Sequence, residues 1–186
     1  PRQGPLRLAG GPLQVGLPEG VVEDLQRDGA RVPGVEHVPE ERRQVERALA
    51  DMGRMGVKSV MYAGEGKPLL HREIPSIVRT TKACGIDVAF TTNAALLNER
   101  VIDVLDDVTW LKASINGGTP GIYAQVHRTQ VHDFNRVIRN LSNAVERRNA
   151  NGWKTTLGSQ IVLLPENQNT VVALAAVSRN IGLDYL

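Results

Sequence analysis

The fold is decided by Lys58-Ser-Val-Met-Tyr-Ala-Gly-Glu-Gly-Lys-Pro-Leu-Leu-His71, a short apolar strand that runs directly into a loop with two glycines. Apolar residues between 74 and 81 then recur at the spacing of one helix face. Gly85 ends this predicted helix, and residues 87–91 predict a second strand. A strand, a helix and a strand in this order indicate a parallel pair that a right-handed crossover connects.

The same alternation continues through the rest of the chain. Further strands are predicted at 109–114 and 155–164, and residues 182–186 predict a helix exit and a strand that is cut off. Predicted helices begin at Pro39, after the cap residue Asn98, near Val131 and at Asn169. This pattern favours an α/β fold, either a sector of a barrel or an open parallel sheet. In both folds, ligands bind at the carboxyl ends of the strands. This rule selects four loops: 63–71, 92–97, 115–129 and 165–168.

Composition excludes several classes of function. The 186 residues carry a net charge of +2, and only 4% are aromatic, so a nucleic-acid surface is not expected. No apolar run is long enough to span a membrane, and no signal peptide is evident. One cysteine, Cys84, rules out an internal disulfide and fits a reducing compartment, so we expect a cytoplasmic protein. The oligomeric state is not visible in the sequence.

The N-terminal segment differs in composition from the rest. Proline and glycine occupy 13 of the first 39 positions, which is typical of irregular chain. We therefore divide the sequence into an irregular segment, 1–37, and a folded domain, 38–186. Because residue 1 is proline and the last strand is short, we expect a domain that is truncated at both ends.

The loop after the first strand is the first candidate site. Gly64 and Gly66 allow the backbone to approach a ligand closely and to offer it N–H groups. Glu65 can accept hydrogen bonds from an ammonium or hydroxyl group, and Lys67 can bind a carboxylate or phosphate. The spacing does not match a phosphate-binding P-loop. A tight turn with solvated charges explains the same residues, so both interpretations stay open.

Taken in order, the strand-end motifs resemble those of the radical S-adenosylmethionine (radical SAM) superfamily, over about 150 residues. The resemblance implies a partial, TIM-barrel-like (β/α) barrel with parallel strands, in which S-adenosylmethionine binds at the strand ends. It implies that the loop at Gly64, Glu65, Gly66 and Lys67 holds the amino group of the cofactor, although Lys67 stands where the family usually has glutamate. The remaining cofactor-binding residues that it implies are Thr92, Asn93, Ser114, Asn116, Arg128 and Gln160. Ala94 replaces the glycine of the family's Thr-Asn-Gly motif. Arg128 is similar to the arginine that often pairs with the methionyl carboxylate.

One departure from the family is central. Relatives hold a 4Fe–4S cluster through a Cys-x3-Cys-x2-Cys loop, and such clusters require thiolate ligands. That loop is expected 40 to 50 residues before Gly64, where this sequence has no cysteine. Cys84 falls between two elements at the other end of the barrel. Relatives cleave S-adenosylmethionine reductively, and this chain is expected to be inactive in that reaction. Either residues 1–37 are not native sequence, as after an upstream frameshift, or the protein is a degenerate relative.

Two alternatives remain. The first is a module that keeps the S-adenosylmethionine pocket without the iron. The second is an unrelated α/β enzyme, such as a Schiff-base aldolase, with Lys58 or Lys112 as its reactive amine. We assign no catalytic residue and no metal ligand, because His71, His127 and His132 lack convincing ligand spacing. The substrate, a small molecule or a peptide, is not identified by the sequence.

Overall fold

A computed structural model describes residues 40–64 and 68–186, which fall within one compact unit, Pro39–Leu186. The predictions for 1–37 and for Glu65, Gly66 and Lys67 lie outside the described residues. The boundary between residues 37 and 38 therefore stays a prediction.

Four parallel strands form one sheet, and their spatial order follows their order in the chain. In a doubly wound sheet the spatial order of the strands reverses at one point, whereas the strand order of this sheet runs one way throughout. Successive right-handed crossovers without a reversal put every connecting helix on the same side, as in a barrel. The prediction of a partial parallel barrel is confirmed, and the sheet is unclosed. The strands are β1 (Ser59–Tyr62), β2 (Asp87–Thr92), β3 (Val108–Ser114) and β4 (Thr156–Gln160).

Six α-helices occur within the described residues, with short 3-10 turns at Pro68–Leu70, Leu105–Asp107 and Gln168–Thr170. Most begin where the sequence predicts. Asn98, for example, caps a helix by accepting a hydrogen bond from the Val101 N–H. The helices are α1 (Glu40–Arg54), α2 (Ile74–Ala83), α3 (Glu99–Ile102), α4 (Pro120–His127), α5 (Val131–Asn151) and α6 (Val171–Asn180).

The core lies between the sheet and these helices. Phe90 is fully buried, and its ring packs 5.6 Å from that of Tyr62, whose hydroxyl is 2.7 Å from Thr81 Oγ1 on α2. On β4, Ser159 bonds Ser178 of α6 across 2.8 Å. Because side chains alternate along a strand, these contacts identify which residues face the helices. Burial of this apolar layer is the main stabilising term of the domain.

The other face of the sheet is the inner face of the partial barrel. Met61, on this face, is 55% exposed, and its sulfur accepts a hydrogen bond from Thr91 Oγ1 at 3.6 Å. On β3 the ammonium group of Lys112 lies 5.8 Å from the ring centroid of Trp110. The inner face thus carries accessible polar and apolar groups, in contrast to the buried helix-facing side.

Two element predictions were wrong. The expected loop 115–129 contains α4, because Thr119 accepts a hydrogen bond from the Ile122 N–H and Pro120 occupies the first helical turn. Strand β4 ends at Gln160 and not at Leu164. Beyond Gln160, backbone groups bond to side chains of neighbouring loops instead of to a strand, as described below.

The last residues pair with β4. Tyr185 forms an isolated parallel bridge with Gly158, and its ring occupies the space that a side chain at Gly158 would fill. Asp184 accepts a hydrogen bond from the Leu157 N–H at 2.7 Å and forms an ion pair with Arg148 of α5. Arg148 is 9% exposed, so this pair joins α5 to the chain end from a largely buried position.

Candidate functional site

The carboxyl edge of the sheet brings several predicted site residues into one row. Ser114 is the register partner of Gln160, and Thr92 is the partner of Ala113. Neighbouring strands are about 4.8 Å apart, so these positions are in direct succession. Gly64 follows β1 by two residues, at the same edge. The prediction that these strands run side by side in one direction is confirmed.

Ser114 and Gln160 also share the inner face. Side chains alternate between the two faces along a strand, and Leu111 and Ala113 of β3 are buried on the helix-facing side, so Ser114 lies on the inner face. Ser159 of β4 also faces the helices, so the next residue, Gln160, lies on the inner face. Both side chains are half-buried, and neither has a hydrogen-bond partner among the residues that the structure describes. Two adjacent polar side chains with unused donors and acceptors are what recognition of a polar ligand requires.

The exit of β2 is stabilised by its own polar side chains. Thr92 Oγ1 accepts a hydrogen bond from the Ala94 N–H, and Asn93 Oδ1 accepts one from the Ala95 N–H, both at 3.2 Å. Thr92 shares the helix-facing side with Phe90, so its hydroxyl does not join Ser114 and Gln160. These residues form a turn, and their roles in ligand binding stay predictions.

Ala94 shows why the corresponding position favours glycine. Its φ angle is +57°, a left-handed conformation that costs a residue with a Cβ roughly 1–2 kcal/mol. The Asn140 side chain on α5 donates to the carbonyl oxygens of Ala94 and Ala95, at 3.0 and 3.2 Å. These bonds hold the β2 exit in place, and no local sequence pattern predicts them.

The exit of β3 is tied to the exit of β4. Asn116 has a φ angle of +51°, and its Oδ1 accepts a hydrogen bond from the Val162 N–H at 2.8 Å. Its carbonyl oxygen accepts a hydrogen bond from Asn167 Nδ2 at 3.0 Å. Part of the Asn116 side chain is therefore committed to structure, and its Nδ2 has no partner within residues 40–64 and 68–186.

Arg128 ends α4 beside the β3 exit. It has a left-handed φ of +51°, is exposed, and forms no ion pair with any carboxylate of the described residues. The preceding His127 fixes this helix end, because its Nε2 is 2.7 Å from the Ile115 carbonyl oxygen. Its ring also stacks on Tyr123 with centroids 4.4 Å apart. The guanidinium group thus belongs to a segment that is anchored to the site edge.

Cys84 does not fit a cluster site. It caps the C-terminal end of α2, three residues before β2 begins, and so belongs to the amino end of the strands. At about 3.3 Å per residue, the length of β2 separates Cys84 from the carboxyl edge of the sheet by roughly 17 Å or more. Within the described residues no group of three His, Cys, Asp or Glu side chains could hold a metal ion. A 4Fe–4S cluster does not fit the thiols of this chain.

Comparison with known proteins identifies the class. The family model of the radical SAM superfamily matches residues 27–177, and the chain belongs to that superfamily. The match begins within the proline- and glycine-rich segment. An unrelated barrel enzyme such as a Schiff-base aldolase is therefore ruled out. Relatives in this superfamily bind S-adenosylmethionine and a 4Fe–4S cluster.

Two curated relatives are similar over most of the chain. GTP 3',8-cyclase of Chlorobaculum tepidum is 28% identical over 143 residues, which are 73% of this chain and 40% of that protein. A probable GTP 3',8-cyclase of Metallosphaera sedula is 31% identical over 134 residues, 70% of this chain and 39% of that protein. The chain therefore spans about two fifths of the length of these relatives.

A solved structure supports the fold. The crystal structure of archaeal TYW1 superposes with a TM-score of 0.52 at 14% identity, covering 85% of this chain and 58% of that one. At this identity the likeness concerns the fold alone. Among the described residues, no helix has the length and apolar character needed to cross a bilayer.

Proposed function

We propose that this chain forms the S-adenosylmethionine-binding part of a radical SAM protein and binds the cofactor at the carboxyl edge of its sheet. The observation that carries the proposal is the pair Ser114 and Gln160, which are adjacent, inner-facing and without partners in the described part of the chain. Hydroxyl and carboxamide groups suit the ribose hydroxyls and the zwitterionic tail of this ligand. Asn116 Nδ2 adds a donor at the same edge.

Arg128 completes the proposed site. A guanidinium group without an acidic partner in the described residues can form two parallel hydrogen bonds to the methionyl carboxylate. Arg128 directly follows His127, whose ring is bonded to the Ile115 carbonyl, so the Arg128 backbone is tied to the β3 exit. Gly64, Thr92 and Asn93 contribute backbone groups and turn geometry at the first two strand ends.

We further propose that the chain does not cleave the cofactor on its own. When bound, a 4Fe–4S cluster supplies the electron for reductive cleavage, and its assembly requires several thiolates. This sequence has one cysteine, at the wrong end of the strands. Anaerobic reconstitution with iron and sulfide should give no stoichiometric cluster absorbance, and dithionite with S-adenosylmethionine should give no 5′-deoxyadenosine. A stoichiometric cluster would contradict this part of the proposal.

The similarity to two GTP 3',8-cyclases suggests a guanosine nucleotide as the substrate class of the protein to which these residues belong. This proposal rests on the similarity alone. Titration with GTP in the presence of S-adenosylmethionine, with ATP as the control nucleotide, tests it. Equal affinity for the two nucleotides, or no binding of either, would count against a guanosine substrate.

Calorimetric titration of the full chain with S-adenosylmethionine tests the cofactor site directly. We expect binding that Ser114→Ala weakens about tenfold, which is the effect of losing about 1.4 kcal/mol of hydrogen bonding. Ser59→Ala is the matched control, because Ser59 is an exposed serine at the opposite end of β1. No heat at millimolar ligand, or equal weakening by both substitutions, would refute the proposed site.

A further inference from the structure

Asn167 is a buried polar residue at the edge of the proposed site. It is 0% exposed, although the preceding residues of its loop, Val162 to Glu166, are exposed. Buried carboxamides are rare unless their oxygen and nitrogen atoms are hydrogen-bonded. Asn167 satisfies that condition with three hydrogen bonds, and none of the family motifs identified in the sequence includes it.

These hydrogen bonds join two loops. Asn167 Oδ1 accepts from the Leu164 N–H at 2.8 Å, while Nδ2 donates to the carbonyl oxygens of Val162 at 2.8 Å and Asn116 at 3.0 Å. The Val162 N–H in turn donates to Asn116 Oδ1 at 2.8 Å. A backbone N–H only donates and a carbonyl only accepts, so both carboxamide orientations are fixed by their partners. We call this set of four bonds the asparagine clasp.

The clasp extends the pairing of β3 and β4 past their ends. The last bonds between the two segments run from the N–H groups of Ile115 and Asn116 to the Gln160 carbonyl oxygen, at 3.0 and 3.5 Å. The next bonds between the two segments are those of the clasp at Val162, two residues after Gln160, where no strand pairing remains. Asn116 also has a left-handed φ of +51°, which asparagine and glycine adopt more readily than other residues.

We propose that Asn167 is a positioning residue for S-adenosylmethionine, an inference that rests on the function proposed above. By holding the β3 and β4 exits together it orients Asn116 so that Nδ2 is the group left for the ligand. Asn167 itself makes no contact with the ligand in this account and acts through Asn116.

Calorimetry with S-adenosylmethionine on the full chain tests the role. Asn167→Ala should weaken binding at least about tenfold, as expected when a hydrogen-bonding ligand group is misplaced. Asn169→Ala is the matched control, because the Asn169 side chain is exposed, is two residues away and has no hydrogen-bond partner within the described residues; the substitution should change affinity less than about twofold. Thermal unfolding of each ligand-free variant reports folding separately.

A double-mutant cycle asks whether Asn167 acts through Asn116. Asn116→Gly removes the side chain and tolerates the positive φ. If the proposal holds, adding Asn167→Ala to Asn116→Gly weakens binding little further, because the same contact is already lost. Losses that multiply fully would overturn the positioning role.

Asn167→Asp adds a pH readout that general destabilisation would not give. A carboxylate cannot donate to the Val162 and Asn116 carbonyls, whereas a protonated carboxyl regains one donor. Burial raises the pKa of such a carboxyl, so the affinity of this variant should recover as pH falls from about 8 to about 5. The unsubstituted chain should show no such recovery, and a flat profile for the variant would count against the clasp.

The outcomes separate the two proposals. No heat from the unsubstituted chain at millimolar S-adenosylmethionine overturns the proposed function. Binding by the unsubstituted chain with an unchanged affinity in Asn167→Ala overturns the positioning role and leaves the proposed function standing.

Discussion

Gly118 is the position where one added methyl group should do the most damage near the site. A Cβ there would lie 2.0 Å from the Thr170 carbonyl oxygen and 2.6 Å from the Leu174 nitrogen. Both atoms are backbone, so the start of α6 would have to move away from the β3 exit. The Gly118 N–H also donates to Thr170 Oγ1 at 3.1 Å, a bond that such a shift would break. Overpacking costs about 1–3 kcal/mol, and we expect Gly118→Ala at about 3 kcal/mol.

Thermal unfolding measures this effect. For a domain of this size about 3 kcal/mol corresponds to a fall in Tm of roughly 6–12 °C. Gly121→Ala is the matched control, since a Cβ there meets no atom within 4 Å and α4 should gain up to about 1 kcal/mol of helix propensity. A Tm of Gly118→Ala within one or two degrees of the unsubstituted chain would refute the close packing of α6 on the β3 exit.

Two further predictions concern α5. The pKa of Asp133 is lowered below its ordinary value of 3.8, and the largest cause is the hydrogen bond that the Thr129 hydroxyl donates to this carboxylate. The stabilising contribution of Asp133 is therefore present above pH 3.8 and is lost as the pH falls through the lowered pKa. Asp133→Asn should therefore be less stable at neutral pH, and its deficit in urea unfolding should shrink below pH 3.8; a constant deficit would contradict the linkage. Asn140→Ala should cost about 1–2 kcal/mol, because the Ala94 carbonyl loses its partner, whereas the exposed Asn143→Ala on the same helix should cost almost nothing; equal costs would contradict the role of Asn140.

The parallel sheet could be predicted because local patterns and chain order both specify it. Short apolar runs that end in Thr-Thr-Asn or Ser-Ile-Asn mark strand ends, and each is followed by a helical period. Helix caps such as Asn98 were readable for the same reason, since the capping residue lies next to the N–H group that it satisfies. Local chemistry was sufficient for these elements.

The errors arose where a local signal was ambiguous or a distant contact decided the outcome. Gly117 and Gly118 favoured a long loop and obscured the Thr119-Pro120 start of α4. The apolar residues after Gln160 continued a strand pattern, but the asparagine clasp takes the backbone groups of Val162 that a neighbouring strand would have used. Such a competition is not visible in a local window.

The candidate site was only partly predictable for a related reason. Strand-end positions such as Ser114 and Gln160 follow from sheet topology, so their neighbourhood could be inferred from chain order. The clasp could not, because Asn116 and Asn167 are 51 residues apart and asparagine is common in turns. Its role depends on a hydrogen-bond geometry that only the folded chain supplies.

The central claim is that S-adenosylmethionine binds at the carboxyl edge of the sheet, and amide chemical-shift mapping of isotope-labelled chain tests it most directly. Ligand addition should shift the amides of Asn93, Ser114, Asn116 and Gln160 and leave those of Ile86 and Val108, at the amino edge, unchanged. Shifts confined to the amino edge, or no shifts at millimolar ligand, would contradict the account.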